Sequence, residues 1–183
     1  YGCSGLTGEI PEKLFGNIYG APKNSMFNST FQNCSGLTGS IPAGLFGNIS
    51  GAPAQFMFSS TFYGCKGLTG EIPVGLFGNL SGSPASSMLS QTFYNCGGLT
   101  GKSARNPDGT PLYDVFPTAT SNHVYNMYTG TCLADNASIP TTWGKNSSCV
   151  YSEPTDEYPF VITTTSDTRD FEFAIFPAGT FNI

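Results

Sequence analysis

A 31-residue repeat constrains the fold of this chain more than any other feature of its sequence. Four copies of one phrase begin at Cys3, Cys34, Cys65 and Cys96. Leucine, isoleucine and phenylalanine recur at fixed positions within the copies. A fixed period of this length is typical of solenoids, in which each repeat contacts mainly its neighbours. Ordering a repeat costs about 1.5 kcal/mol per residue, more than its few apolar side chains return, so the repeats must stack to fold.

The first part of each repeat, L-T-G-x-I-P, has the alternation of a strand with one buried face. Leu6 and Ile10 fall on one side, and Thr7 and Glu9 fall on the other. Pro11 ends the pattern, because proline has no N–H to donate to a continuing ladder. We therefore expect one short parallel strand per repeat, with leucine and isoleucine inside and threonine outside.

The second part of each repeat, M-F-x-x-T-F, predicts a helix. Met57, Phe58 and Phe62 recur at a spacing of about four residues, which places them on one helical face. Together the two parts predict an α/β solenoid of leucine-rich-repeat type, with a 31-residue period and a parallel strand sheet. A short antiparallel β segment is expected to follow it.

The predicted solenoid covers residues 1–150 and includes an insert at residues 103–110. The insert delays the fourth repeat by five residues, so that Cys132 matches the repeat cysteine. A capping repeat is expected over residues 132–149, with Asp135 in place of the inward leucine. Residues 151–183 predict a linker and three strands with alternating apolar residues, an incomplete β segment that is marginal alone.

These motifs resemble the BspA-like leucine-rich-repeat surface proteins of bacteria and some protists. The resemblance is carried by T-F-Q-N-C-S-G-L-T-G-S-I-P at residues 30–42 and by its successors. The stretch C-L-A-D-N-A-S-I-P-T-T-W, residues 132–143, is similar to the closing coil of that family. The C-terminal strands resemble the start of a small β-sandwich in related surface proteins. The resemblance implies a role in adhesion and in host or matrix binding, without a shared catalytic motif.

The cysteines fall into two sets. Side chains at equivalent positions of parallel strands lie near 5 Å apart, but they rarely reach the dihedral angle of a disulfide. We therefore expect a ladder of buried free thiols, formed by Cys3, Cys34, Cys65 and Cys96. Cys132 and Cys149 lie off that ladder and flank the cap, which favours a disulfide between them in an oxidising compartment.

No catalytic, metal or cofactor site is predicted. His123 is the single histidine, and no serine or cysteine motif gives it a nucleophilic partner. Phosphate loops, H-E-x-x-H and C-x-x-C are absent from the sequence, and identical ladder cysteines cannot surround a metal ion. The acidic residues are scattered and are interpreted as solvated charge, although a glycosidase pair would be recognised only from distances.

Composition narrows the class of partner. Only 10% of residues are charged and the formal net charge is −5, which argues against nucleic acid, since nucleic acid requires a basic surface. No apolar run is long enough for a membrane span. The chain opens with Y-G-C, which matches the end of a repeat, so the first residue is not expected to be a natural start. Low charge with abundant serine and threonine favours an extracellular or cell-surface protein.

Two functions are compatible with this pattern. In the first, a non-enzymatic adhesion or recognition protein binds a protein or glycan through the outward side chains of the strand sheet. Those side chains are Thr7, Glu9, Thr38, Ser40, Thr69, Glu71, Thr100 and Lys102. Threonine also suits an exposed strand for its own sake, which leaves a purely structural role open. In the second function, copies of the chain assemble end to end into a filament through the uncapped N-terminal repeat and the open C-terminal strands.

Overall fold

A computed structural model describes Cys3, residues 5–149, and two short stretches near the C-terminus. The chain divides into two compact units, Tyr1–Tyr151 and Ser152–Ile183. Regular elements are short: β1 (Ser50–Gly51), β2 (Gly70–Glu71), β3 (Asn79–Leu80), β4 (Leu99–Thr100), α1 (Leu112–Val115), α2 (Ser121–Val124), 3₁₀ turns at Asn136–Ser138 and Thr141–Trp143, β5 (Ala174–Ile175) and β6 (Phe181–Asn182). In the second unit β5 and β6 pair antiparallel. The strand expected over residues 158–165 lies outside the described residues.

A narrow parallel ladder joins the L-T-G segments of successive repeats. Strand β2 pairs in parallel with β4, and isolated parallel bridges join Gly8 to Leu37 and Gly39 to Leu68. The Thr38 N–H donates to the Gly8 carbonyl at 2.9 Å. One repeat further on, the Thr69 N–H donates to the Gly39 carbonyl at 2.8 Å. Consecutive repeats therefore lie side by side, with equivalent residues paired.

The ladder separates apolar from polar side chains as the alternation predicts. Leu37, Leu68 and Leu99 are buried, and Ile41 and Ile72 are buried beside them. The threonine that follows each of these leucines is exposed. The hydrophobic interior therefore lies on the leucine side of the ladder.

A second parallel ladder follows the L-F-G-N turn of each repeat, where the sequence predicted only irregular chain. Gly20 pairs with Ile49, and β1 pairs in parallel with β3. The Ser50 N–H donates to the Gly20 carbonyl at 3.1 Å, and the Ser81 N–H donates to the Gly51 carbonyl at 3.0 Å. Each repeat is thus hydrogen-bonded to its neighbour along two separate lines in this half.

The predicted helix in the M-F-x-x-T-F half is wrong for the first three repeats, which carry a run of overlapping turns there. Alternate N–H groups donate inside the repeat, as from Met26 to the Lys23 carbonyl at 3.2 Å. The intervening N–H groups donate to the next repeat, as from Phe27 to Met57 at 2.7 Å. This alternation gives partners to the backbone donors without forming a helix.

The turn run has its own sequence signature. Every fourth residue has a positive φ, as the third position of a type II turn requires. Small or amide residues and glycine occupy most of these positions, because they tolerate that region at low cost. The members are Ser25, Ser29, Asn33, Phe56, Ser60, Gly64, Ser87, Gln91, Asn95, Asn126 and Gly130. A four-residue spacing of phenylalanines fits this run as well as a helix, which explains the wrong prediction.

Stacked aromatic rings connect the repeats through the interior. Phe62 lies between Phe31 and Phe93, with ring centroids 5.5 and 5.6 Å away and the rings nearly parallel. Tyr128 continues the stack 6.0 Å beyond Phe93. The rings of Phe62, Phe93 and Tyr128 are fully buried. The stack is therefore shared by four successive layers of the chain.

Buried threonine hydroxyls bridge neighbouring repeats beside the aromatic stack. The Thr61 hydroxyl lies 2.7 Å from the Phe58 carbonyl of its own repeat and 2.9 Å from the Phe27 carbonyl of the preceding one. Thr92 repeats this arrangement with Leu89 at 2.7 Å and Phe58 at 3.0 Å. A buried hydroxyl needs such partners, since leaving it unpaired costs about 1–3 kcal/mol.

The insert ends the second ladder. Residues 105–111 form a small loop closed by an antiparallel bridge between Arg105 and Pro111. The buried Asn106 side chain donates to the Leu80 carbonyl at 2.8 Å and accepts from the Leu80 N–H at 3.3 Å. Its amide group thus takes the place that the backbone of a further repeat would occupy.

The register beyond the insert differs from the prediction. The Phe62 N–H donates to Thr92, 30 residues on, whereas the Phe93 N–H donates to Met127, 34 residues on. The displacement is therefore four residues rather than five. As a result the buried Thr131 follows the turn run at the repeat-cysteine position, and the exposed Cys132 comes one residue later.

The inward leucine of the last repeat is Leu133 and not Asp135. Leu133 is fully buried, and the Ala134 N–H that follows it donates to the Gly101 carbonyl of the preceding strand. That bond corresponds to the one made by the threonine after each earlier leucine. The Tyr128 N–H donates to the Trp143 carbonyl at 3.1 Å, so the last repeat covers the end of the turn run.

Candidate binding surface

The outward side chains of the first ladder form a polar surface, which we call the strand face. Eight residues make up this surface, and all of them are exposed. They are Thr7, Glu9, Thr38, Ser40, Thr69, Glu71, Thr100 and Lys102. The strand face repeats one threonine per layer and changes chemistry at the position two residues further on. It offers hydroxyl, carboxylate and ammonium groups on a backbone held by ladder hydrogen bonds.

Glycines in the ladder make room for the two carboxylate side chains. Gly39 and Gly101 have φ values of +72° and +69°. A methyl group on Gly39 would lie 2.9 Å from Cγ of Glu9, and one on Gly101 would lie 2.5 Å from Cγ of Glu71. Each glutamate therefore lies across the glycine of the following repeat, which fixes its direction along the strand face.

The charged groups of the strand face are not paired with one another. Among the described residues, the ion pair found is between Arg105 and Asp135, away from Glu9, Glu71 and Lys102. Their hydrogen-bonding capacity therefore remains available to a ligand. Two carboxylates and one ammonium group on hydroxyl-rich surroundings suit a polar partner.

Three of the four ladder cysteines are buried free thiols. The Cys65 sulfur lies 3.0 Å from the Phe31 carbonyl, and the Cys96 sulfur lies 2.9 Å from the Phe62 carbonyl. Burial raises the pKa of the Cys65 thiol to about 12, and the neighbouring Cys34 raises it further. Burial raises the pKa of Cys96 in the same direction. Cys3 was expected to be buried as well, but it is exposed, because no described repeat packs on its side.

We expect Cys3 to be the reactive thiol among the four ladder cysteines. The thiolate is the reacting species, and burial keeps Cys65 and Cys96 protonated at pH 8. Iodoacetamide treatment of the native chain, followed by mass mapping, should label Cys3 at least ten times faster than Cys65, a difference of about one unit or more in the controlling pKa. Equal labelling of Cys3 and Cys65 would contradict this arrangement.

A disulfide joins Cys132 and Cys149, with their Cα atoms 5.5 Å apart. Asn146 holds the enclosed loop in place. Its side chain donates to the Thr131 carbonyl at 2.9 Å, and its backbone N–H donates to the Asn136 side chain at 3.0 Å. On the chain-entropy estimate a loop of this size stabilises the fold by about 3 kcal/mol. The disulfide therefore supports the end of the stack and not a reactive site.

A second polar cluster lies between the insert and the last repeat. The Arg105 guanidinium donates to the Asp135 carboxylate at 2.7 Å, and the Ser103 hydroxyl donates to the same carboxylate at 2.7 Å. The fully buried Tyr128 hydroxyl accepts from the Ala104 N–H at 3.1 Å, and burial raises the pKa of Tyr128. Sequence reasoning missed this cluster, although an arginine in an otherwise charge-poor chain was a signal. Its groups satisfy one another and join the insert to the cap.

The remaining candidates from the sequence serve local structure. His123 Nδ1 accepts from the Thr120 N–H at 3.0 Å, which caps α2. Asp108 accepts from the Thr110 N–H at 2.9 Å, and that bond lowers the pKa of Asp108. Within residues 5–149 and the other described positions, no cluster of three or more His, Cys, Asp or Glu residues could hold a metal ion. Nor does a helix in the described part of the chain have the length and apolar character to cross a membrane.

Two open grooves complete the surface. One, of about 330 Å³, is lined by Lys66, Asn95 and neighbouring glycines. The other, of about 470 Å³, runs beside Glu12, Lys13 and the Asn17 and Asn48 turns. Both are shallow and lack a convergent set of polar groups, so neither resembles an enclosed small-molecule site. No protein-family model, curated protein or solved structure matches the chain.

Proposed function

We propose that this chain is a non-enzymatic extracellular or cell-surface protein that recognises a protein or glycan through the strand face. The observation that carries the proposal is the row of eight exposed, polar side chains on one rigid ladder. Ladder hydrogen bonds of 2.8–2.9 Å fix the spacing of Thr38 and Thr69. A preorganised surface binds with a smaller entropic cost than a flexible one.

The proposal includes the architecture. Parallel pairing of successive repeats, a shared aromatic stack and the resemblance to BspA-like surface proteins together support an α/β leucine-rich-repeat solenoid as its scaffold. The Cys132–Cys149 disulfide supports an oxidising, extracellular compartment, because disulfides persist there. Stacked repeats of this kind present long continuous surfaces, which suit extended partners.

The test is binding to an array of immobilised glycans and matrix proteins. A triple variant with Thr38, Thr69 and Glu71 each replaced by alanine should lose about tenfold in affinity for whichever probe binds, equivalent to about 1.4 kcal/mol. The matched control replaces two serines and one glutamate that are exposed elsewhere, Ser81, Ser83 and Glu12, and should bind normally. Equal losses in the two triple variants would remove the strand face as the binding surface.

A further inference from the structure

The first repeat exposes the same side chains that the second repeat buries. Leu6 is 47% exposed, whereas the equivalent Leu37 is 5% exposed. Leu14 is 47% exposed, whereas the equivalent Leu45 is completely buried. These leucines lie on the side of repeat 1 that faces away from repeat 2, which we call the entry face. Among the described residues, no segment covers the entry face.

The backbone of the entry face presents a row of free acceptors. In repeat 2, the carbonyls of Gln55, Met57, Ser59, Thr61 and Tyr63 each accept an N–H from repeat 1. The equivalent carbonyls in repeat 1 accept no backbone N–H from the described residues. They belong to Asn24, Met26, Asn28, Thr30 and Gln32. The spacing of this row matches the alternate donors of a turn run.

A glycine on the entry face is kept open in the same way. At Gly67 and Gly98, a methyl group would lie 2.4 Å from the leucine carbonyl of the preceding repeat, Leu37 and Leu68 respectively. The equivalent Gly5 has nothing within 4 Å of such a methyl group. Repeat 1 therefore has the close-approach glycine of an internal repeat, but no neighbour uses it.

We propose that the entry face binds a polypeptide segment carrying a repeat of this same sequence type, added in parallel register. The interfaces between repeats 1 and 2 and between repeats 2 and 3 set its geometry, since the entry face has the same leucines, acceptors and glycine. The partner must supply alternate N–H donors from a turn run and a leucine carbonyl beside Gly5. This surface is separate from the strand face, so the proposal goes beyond the proposed function.

A second copy of this chain does not supply that surface with either described end. Its own entry face offers acceptors against acceptors, which cannot pair. At the other end the Tyr128 N–H is already bonded to Trp143, and the last repeat covers the turn run. The occupant is therefore a repeat from another polypeptide, presented by its donor side.

The exposed Cys3 thiol reports occupation of the entry face. Cys34, which follows one complete repeat, is 1% exposed, and an added repeat should place Cys3 in the same position. The probe is a synthetic peptide of residues 34–62 with Cys34 replaced by serine, added to the full chain. Iodoacetamide labelling of Cys3, read by mass mapping, should slow about tenfold at saturating peptide, as expected when 90% of the sites are occupied.

Two matched controls isolate the docking contact. A peptide N-methylated at Phe58 and Phe62 keeps every side chain but loses two inter-repeat donors, and it should protect Cys3 weakly or not at all. In the full chain, Gly5→Ala meets no atom of the free protein, so the variant should fold normally but lose protection by the unmodified peptide. Unchanged labelling with the unmodified peptide would overturn the proposal, as would equal protection of Gly5→Ala. Protection of Cys3 by the chain's own concentration, without peptide, would show that a second copy is the occupant and would also overturn it.

Discussion

Replacing Phe62 with alanine is expected to lower the free energy of unfolding by about 4 kcal/mol, within the range for removing a buried phenylalanine. The Phe62 ring is fully buried between Phe31 and Phe93, with centroids 5.5 and 5.6 Å away, and Phe46 lies 6.2 Å away. The cavity left by the ring would open between layers that are joined by hydrogen bonds and cannot close around it. Urea unfolding followed by far-ultraviolet circular dichroism measures the effect.

Phe56→Ala is the matched control for this prediction. Phe56 belongs to the same turn run and also contributes an N–H to the next repeat, but its ring is 37% exposed. The backbone hydrogen bond survives both substitutions, so the comparison isolates the buried ring. We expect Phe56→Ala to cost less than about 1 kcal/mol. Similar losses for the two variants would contradict a shared aromatic interior.

Replacing Gly67 with alanine is expected to destabilise the chain by about 3 kcal/mol, at the upper end of typical overpacking costs. The added methyl group would lie 2.4 Å from the Leu37 carbonyl and 3.2 Å from the Ser35 carbonyl. Both are backbone atoms, so relief requires the second and third repeats to move apart. That movement would stretch the adjacent Thr69–Gly39 hydrogen bond of 2.8 Å. The urea midpoint of Gly67→Ala against the parent chain gives the measurement.

Gly5→Ala separates the inter-repeat contact from the substitution itself. Gly5 occupies the same position of the repeat phrase, two residues after its cysteine, but nothing lies within 4 Å of the added methyl group. We expect its stability to stay within about 0.5 kcal/mol of the parent. If Gly5→Ala were as destabilising as Gly67→Ala, the cost would come from the residue type and not from stacking.

The sequence predicted the polar and apolar sides of the first ladder because alternation is a local property of a strand. Leu68 and Thr69 are neighbours, so an extended backbone sends them to opposite sides whatever the rest of the chain does. The exposure of the strand face follows from the same rule. The direction of Glu9 and Glu71 does not, because it depends on glycines that belong to the following repeat.

The turn run could not be distinguished from a helix by apolar spacing alone. Phe58 and Phe62 are four residues apart, which suits a helix and a chain of four-residue turns equally. The deciding signal lies in the positive-φ positions, where Ser60 and Gly64 recur with the same spacing. Helix interiors disfavour glycine and serine, and turns favour them. The second ladder was missed because its pairing partners are 29 residues apart and no alternation marks them.

The register after the insert needed coordinates, because two different offsets fit the sequence. Aligning Cys132 with the repeat cysteines placed Asp135 inward, whereas the hydrogen bonds place Thr131 and Leu133 there. A threonine fits the cysteine position, since both side chains are small and donate to a nearby carbonyl. Burial decides between the offsets, because Leu133 can fill the interior and an unpaired carboxylate cannot.

Residue-resolved amide hydrogen exchange tests the stacking of the repeats most directly. In the turn run of repeat 2, the N–H groups of Phe58, Ser60 and Phe62 donate to the next repeat. Those of Ser59, Thr61 and Tyr63 donate within their own repeat. Stacked repeats predict slow exchange for both sets, at rates set by the same cooperative opening. Fast exchange of the first set beside slow exchange of the second would show that the repeats fold as separate modules, contradicting the account.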